Sequence, residues 1–207
     1  MIPSYLHDLA LPNVFAQYTK QVESYLLEST KNEHIVDSEA HHICGFVTPT
    51  FGQEEDKAQR YFAIENPSAK PYALLQIDKG LIQHRNTKKC DCAIANDTNI
   101  CFIEFKANAE SGWHKTISKR YDKAIEQLQT TINIFNQHYS VQNTDVTTLR
   151  NVEAYICFRQ GYPKFTSMQM NYKAKFTQQN HGIPLSFATT KILYCLLYTS
   201  DAADDLI

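Results

Sequence analysis

The sequence predicts an α/β fold: a mixed central sheet, containing an antiparallel hairpin and a parallel crossover strand, flanked by helices. Three stretches carry that expectation. Residues 88–108, KKCDCAIANDTNICFIEFKAN, read as two strands about a tight turn, with β-branched, aromatic and cysteine residues flanking Asn96-Asp97-Thr98-Asn99. Residues 121–138 repeat apolar side chains at helical spacing: Tyr121, Ala124, Ile125, Leu128, Ile132 and Phe135. Residues 152–159 form an apolar run, the pattern of a strand buried on both faces. Strand, helix and strand in that order imply a right-handed crossover, which sets 152–159 parallel to the strand before the helix.

From the N-terminus, residues 13–29 read as a helix, because Phe15, Tyr18, Val22, Tyr25 and Leu26 fall on one stripe, with Glu23 beside it. Residues 30–51 show no clear period, and His41-His42-x-Cys44 lacks the second ligand pair that a zinc site normally has. Residues 53–60 are polar and acidic, a helical turn or an exposed loop. Residues 61–65 and 72–82 read as strands, parted by the breaker Asn66-Pro67-Ser68-Ala69-Lys70-Pro71. Asp78 and Lys79 interrupt the second of these strands. Asp78 is either a strand-end aspartate or a third acid near the hairpin.

Pairing Asn96 with Asn99 across the turn sets Asp91 opposite Glu104 and Lys89 opposite Lys106. Side chains alternate along a strand. Cys90, Cys92 and Ile94 therefore share a wholly apolar face with Cys101, Ile103 and Phe105, and that face belongs in the core. The other face carries Lys89, Asp91, Glu104 and Lys106 at one end, with Ala93 and Phe102 towards the turn. Directly opposed residues have Cβ atoms about 5 Å apart, where like charges repel. Either a cation lies between the two carboxylates, or the four charges form a solvated ladder of small energetic weight.

An Asp followed on the next strand by Glu-x-Lys resembles the core motif of the PD-(D/E)xK nuclease superfamily, the restriction-endonuclease-like fold. The matching residues are Asp91, Glu104 and Lys106, and the helix that follows carries Gln127, as in many members. Cys90 stands where the motif's name has proline, and Thr131 follows Gln127 by four where the exonuclease branch has tyrosine. The likeness spans residues 72–161. It implies a single nuclease-like domain that hydrolyses phosphodiester bonds in nucleic acid, DNA foremost. It also implies Mg²⁺, or Mn²⁺, held by Asp91, Glu104 and the backbone carbonyl of Phe105. Lys106 would orient a water or stabilise charge on the phosphate, its ammonium kept charged by the adjacent carboxylates. Gln127 would look into the site from the helix rim. In the resembled fold a helix ahead of the sheet often offers the metal an acid, which makes Glu23 a candidate. The alternative is a non-catalytic nucleic-acid-binding or protein-interaction module on the same fold.

Residues 109–120 read as a loop leaving beside this cluster. Its Lys115, Lys119 and Arg120, with Trp113, suit phosphate contact and base stacking. Residues 159–175 hold four basic residues and no acid, with Lys164 among interleaved aromatics, a second candidate nucleic-acid contact. Residues 182–194 read as a final strand. Residues 195–205, CLLYTSDAADD, back-translate into a common transposase sequencing adapter. The expected domain is therefore 1–194, with 195–207 a translated adapter in place of the native C-terminus.

Composition bounds these readings. At 207 residues, 43% hydrophobic and 20% charged, the chain suits one ordinary globular domain. A net charge of −2 gives no global basic field, so nucleic-acid binding must come from local patches. The N-terminus lacks the basic start and apolar run of a signal peptide, and no stretch reaches the ~20 apolar residues of a membrane helix. Cysteines inside apolar strands act as small hydrophobes and favour a reducing cytoplasm. Cutting both strands of a duplex would favour a homodimer.

Overall fold

The structure, a computed structural model, describes residues 1–107, 113–140, 144–159, 162 and 166–193. Strands are numbered along the chain. The centre is a six-stranded mixed sheet made, in spatial order, of β1 (Leu26–Ser29), β5 (Tyr72–Gln76), β6 (Cys92–Ala95), β7 (Asn99–Phe105), β8 (Asn151–Cys157) and β9 (Leu185–Ser186). Neighbours from β1 to β7 run antiparallel, whereas β7, β8 and β9 run parallel. The expected crossover places β8 beside β7, with Glu104 level with Ile156.

The hairpin turn is held by one side chain. Asn96 Oδ1 accepts from the amides of Thr98 at 3.0 Å and Asn99 at 2.7 Å, and Asn96 N donates to Asn99 O at 3.0 Å. That turn fixes the register: Cys92 faces Ile103 and Ala93 faces Phe102. The ladder ends at the Cys92–Ile103 pair, and beyond it Asp91 leaves the strand, its side chain accepting from Phe105 N next to Glu104.

Both faces of the central sheet are covered. On one lies α3 (His114–Ser140), whose Ile117, Tyr121, Ala124, Leu128, Ile132 and Phe135 pack with Ala93, Phe102 and Ala154. On the other lies a second, four-stranded sheet that the sequence did not reveal. Its order is β10 (Thr190–Ile192), β4 (Phe62–Glu65), β2 (Glu33–Ser38) and β3 (Ile43–Phe46). Ile35, Cys44, Phe62 and Ile64 from these strands pack with Cys92, Ile94, Cys101 and Ile103, so the apolar hairpin face is core. Cys90 is the exception, because the chain bends ahead of β6. It packs on the α3 side, and its amide donates to Thr131 Oγ1 at 2.8 Å.

Other expectations need correction. Residues 13–29 do not form one helix. They divide into the end of α1 (Leu11–Val14), a 3₁₀ turn (Val22–Tyr25) and the edge strand β1. Pairing Leu26 and Leu27 with Leu75 and Leu74 satisfies backbone groups along β5 that a helix would leave bare. Residues 113–120 are not loop, since α3 begins at His114, and residues 166–175 lie within α5 (Thr166–Gln179). The final stretch gives two short strands, β9 and β10, one for each sheet. Strand 72–82 stops at Gln76, where the chain turns through Lys79 at φ +60° and Gly80. A Cβ on Gly80 would lie 2.2 Å from Gln76 O, so only glycine fits that turn. All five cysteines among the described residues are buried free thiols. Among those residues no helix is long and apolar enough to cross a membrane. The 195–207 stretch lies outside the described residues.

Candidate active site

The bend before β6 is what assembles the cluster. Asp91 O accepts from the amides of Ile77 and Asp78, both at 3.1 Å, drawing the chain towards the end of β5. The Asp91 side chain then turns to β7, where its Oδ2 accepts from Phe105 N at 2.6 Å. Glu104 lies on the α3 side of the sheet and is only 1% exposed. Its Oε1 accepts from the Lys106 ammonium, while its Oε2 is buried and has no hydrogen-bond partner. Burial of that oxygen carries a desolvation penalty, which hydrogen bonding between the Glu104 and Asp91 carboxyls offsets only in part.

Lys106 is held from a second side. Its Nζ donates to Gln127 Oε1 at 3.1 Å, and Gln127 Nε2 donates to Lys89 O at 2.9 Å. Gln127 therefore spans the gap between α3 and both edges of the hairpin, its amide fixed at each end. The expected Lys89–Lys106 opposition dissolves in the same bend. The Lys89 ammonium turns to Asp78 at 3.1 Å and to His84 O at 2.7 Å. The solvated-ladder expectation fails as well, because α3 covers this face.

Burial dominates the electrostatics. It pushes the Glu104 carboxyl up to about 7, with Lys106 pulling it down and Asp37 adding to the rise. Asp91 is also pushed well above the usual carboxylate range, by burial first and then by the charges of Glu104 and Asp37. The Phe105 amide opposes that rise without cancelling it. Two acids that resist ionisation beside one ammonium group form a site short of positive charge.

Sequence reasoning missed Asp37. It comes from β2 and, with Glu55, Arg60, Phe105, Lys106 and Arg120, lines a cleft of about 430 Å³, open solvent at its mouth included. Its carboxyl is pushed up by the desolvating cleft wall and by Asp78, although the side chain still reaches solvent. Glu55 is buried there and accepts from Glu39 N at 2.8 Å. The available signal was EHIVDS, a β-rich hexapeptide whose strand partners are all supplied by other segments.

The remaining candidates scatter. Arg120 lines the cleft, and Lys115 and Lys119 are exposed on the first turns of α3. Lys164 lies outside the described residues. Glu23 is exposed on its 3₁₀ turn and enters none of the hydrogen bonds of the cluster. Asp78 is engaged by Lys89. His41 stacks on Phe51 with centroids 4.7 Å apart and shares a 3.1 Å hydrogen bond with Ser38, while Cys44 is core. Comparison with protein-family models, curated proteins and solved structures finds no match for this chain.

Proposed function

We propose that the chain is a metal-dependent nuclease on a restriction-endonuclease-like core, hydrolysing phosphodiester bonds in nucleic acid, DNA first. The observation that carries this reading is the unpartnered, buried Glu104 Oε2 beside Asp91. An oxygen in that setting suits a hard cation better than solvent or a neutral donor. Among the described residues, no three His, Cys, Asp or Glu side chains are grouped to hold a metal. A cation here would rest on Asp91, Glu104 and the Phe105 carbonyl, the small carboxylate set that Mg²⁺ ordinarily uses. When bound, Mg²⁺ or Mn²⁺ supplies positive charge that polarises a phosphate and acidifies water.

The chain's own groups do the rest. The Phe105 amide fixes Asp91 Oδ2, so that carboxylate needs no reorganisation. The Lys106 ammonium stabilises negative charge developing on the phosphate oxygens. Gln127 holds it in place. Arg120 and Lys106, on the wall of one cleft, attract the phosphodiester.

The test is cleavage of linear and circular DNA, and of RNA, with Mg²⁺ or Mn²⁺. Glu104→Gln and Lys106→Ala should each lower the rate at least about 10²-fold while retaining a cooperative unfolding transition. Unchanged cleavage in both variants removes the proposal. Metal-insensitive binding without cleavage would leave the non-catalytic module.

A further inference from the structure

Along α3, Lys115, Lys119, Lys123 and Gln127 follow one another at four-residue steps, and the three lysines are exposed. Side chains at i and i+4 form one ridge on a helix surface. This ridge ends at the glutamine that holds Lys106. Three such steps advance about 18 Å, the length of about five base pairs.

Across from the inner end of the ridge runs a groove. Lys123 and Gln127 line a section of about 540 Å³ together with Lys88, Lys89, Arg85 and Asp78. Asp78, Arg85 and Lys89 also line the next section, of about 1080 Å³, where Lys79 joins them. Five cationic side chains thus face one carboxylate, in a chain whose net charge is −2. Asp78 is spent on Lys89, Lys88 pairs with Glu126, both of these more than half exposed, and the charge of Asp37 acts on Lys79. Among the described residues, Arg85 and Lys123 form no ion pair. Concentrated uncompensated charge of this kind, leading to a phosphodiester site, is the footprint of a polyanion.

We propose that this groove and the α3 ridge form a phosphate-backbone track, in which Arg85, Lys119 and Lys123 seat the strand that enters the Asp91–Glu104–Lys106 cluster past Gln127. The choice of nucleic acid as occupant rests on the nuclease reading. Arg85, Lys119 and Lys123 contact phosphate and not base edges, so binding along the track is sequence-independent and steeply salt-dependent.

The experiment is a salt titration of binding to a fluorescent 20-base-pair duplex, in chelator so that nothing is cut. It compares the wild-type chain with the triple variant Arg85→Ala/Lys119→Ala/Lys123→Ala. All three side chains are exposed, so the thermal midpoint should hold. Each lost phosphate contact lowers the log–log salt slope by about 0.9. The fall in affinity between about 50 and 200 mM salt should therefore be about 40-fold smaller in the variant. The charge-conserving variant Lys119→Arg/Lys123→Arg, with Arg85 retained, should keep the wild-type slope. Equal slopes for wild type and triple variant overturn the track, whatever the cleavage assay shows. Binding to anionic phospholipid vesicles with none to the duplex also overturns it. A track-dependent slope without metal-dependent cleavage sustains the track and removes the nuclease reading instead.

Discussion

Two buried charged clusters in this molecule use similar ingredients and end differently. Arg150, with its side chain 6% exposed, gives its guanidinium to both carboxylate oxygens of Asp8. It also donates to the carbonyls of Asn96 at 3.0 Å, Leu149 at 2.8 Å and Tyr5 at 3.1 Å. That network ties a 3₁₀ helix at Ser4–Leu9 to the hairpin turn and to the start of β8, and all five guanidinium donors are used. The Asp91–Glu104–Lys106 cluster is not. One of its oxygens has no partner, and both acids are pushed towards their neutral forms. A completed polar network fixes architecture, whereas an incomplete one stores strain that a change of protonation or a bound group can relieve.

The comparison breaks first on stability. Arg150→Ala should cost about 3 kcal/mol in urea unfolding. That is the low end for severing a buried pair, because Asp8 is 47% exposed and can be rehydrated. The loss comes mainly from three carbonyls deprived of their donor. A change in the unfolding midpoint equivalent to less than about 1 kcal/mol would demote the saturated network to a surface pair.

The second contrast lies in pH. Glu104 rises from 4.5 to about 7 in the folded chain, so the native state keeps this proton to higher pH than the unfolded one. Its contribution to stability is full below 4.5 and is lost as pH rises through about 7. Asp91 is raised in the same sense. Metal-free protein should therefore lose on the order of 3 kcal/mol across that window, and Glu104→Gln should flatten the Glu104 part of it. Added Mg²⁺ should return the loss at the upper end, because the cation favours the ionised acids. Denaturant midpoints at several pH values, with and without metal, decide this. A flat wild-type profile would mean that the two acids are already compensated.

Local information explains which parts of this were legible. The Asn96 turn and strand alternation set the hairpin register within some twenty residues, so Asp91, Glu104 and Lys106 could be placed together from the sequence. Gln127 came from the family resemblance, and the helical period of α3 added only its place at the rim of the apolar stripe. The second sheet could not be read, because β4 takes its parallel partner β10 from more than a hundred residues away. With that sheet went Asp37. The bend at 88–91 was also hidden. It depends on Thr131 capturing the Cys90 amide and on two β5-side amides capturing Asp91 O, contacts that no strand pattern encodes. Residues 13–29 failed for a related reason: a helical stripe and an edge strand share those apolar positions, and the free edge of β5 decided between them.

The finest test concerns Gln127, where the two kinds of cluster meet. Its Nε2 satisfies Lys89 O, an architectural bond, while its Oε1 holds the ammonium of Lys106. Gln127→Met keeps the length of the side chain and the helix but removes both bonds. The architectural half should cost about 1 kcal/mol of stability, one net hydrogen bond. The positioning half should lower kcat about tenfold with KM unchanged, since an ammonium that drifts stabilises the transition state less without altering how substrate binds. If stability falls and kcat holds, Glu104 alone positions Lys106, and the glutamine belongs with Arg150 among the residues that build the frame.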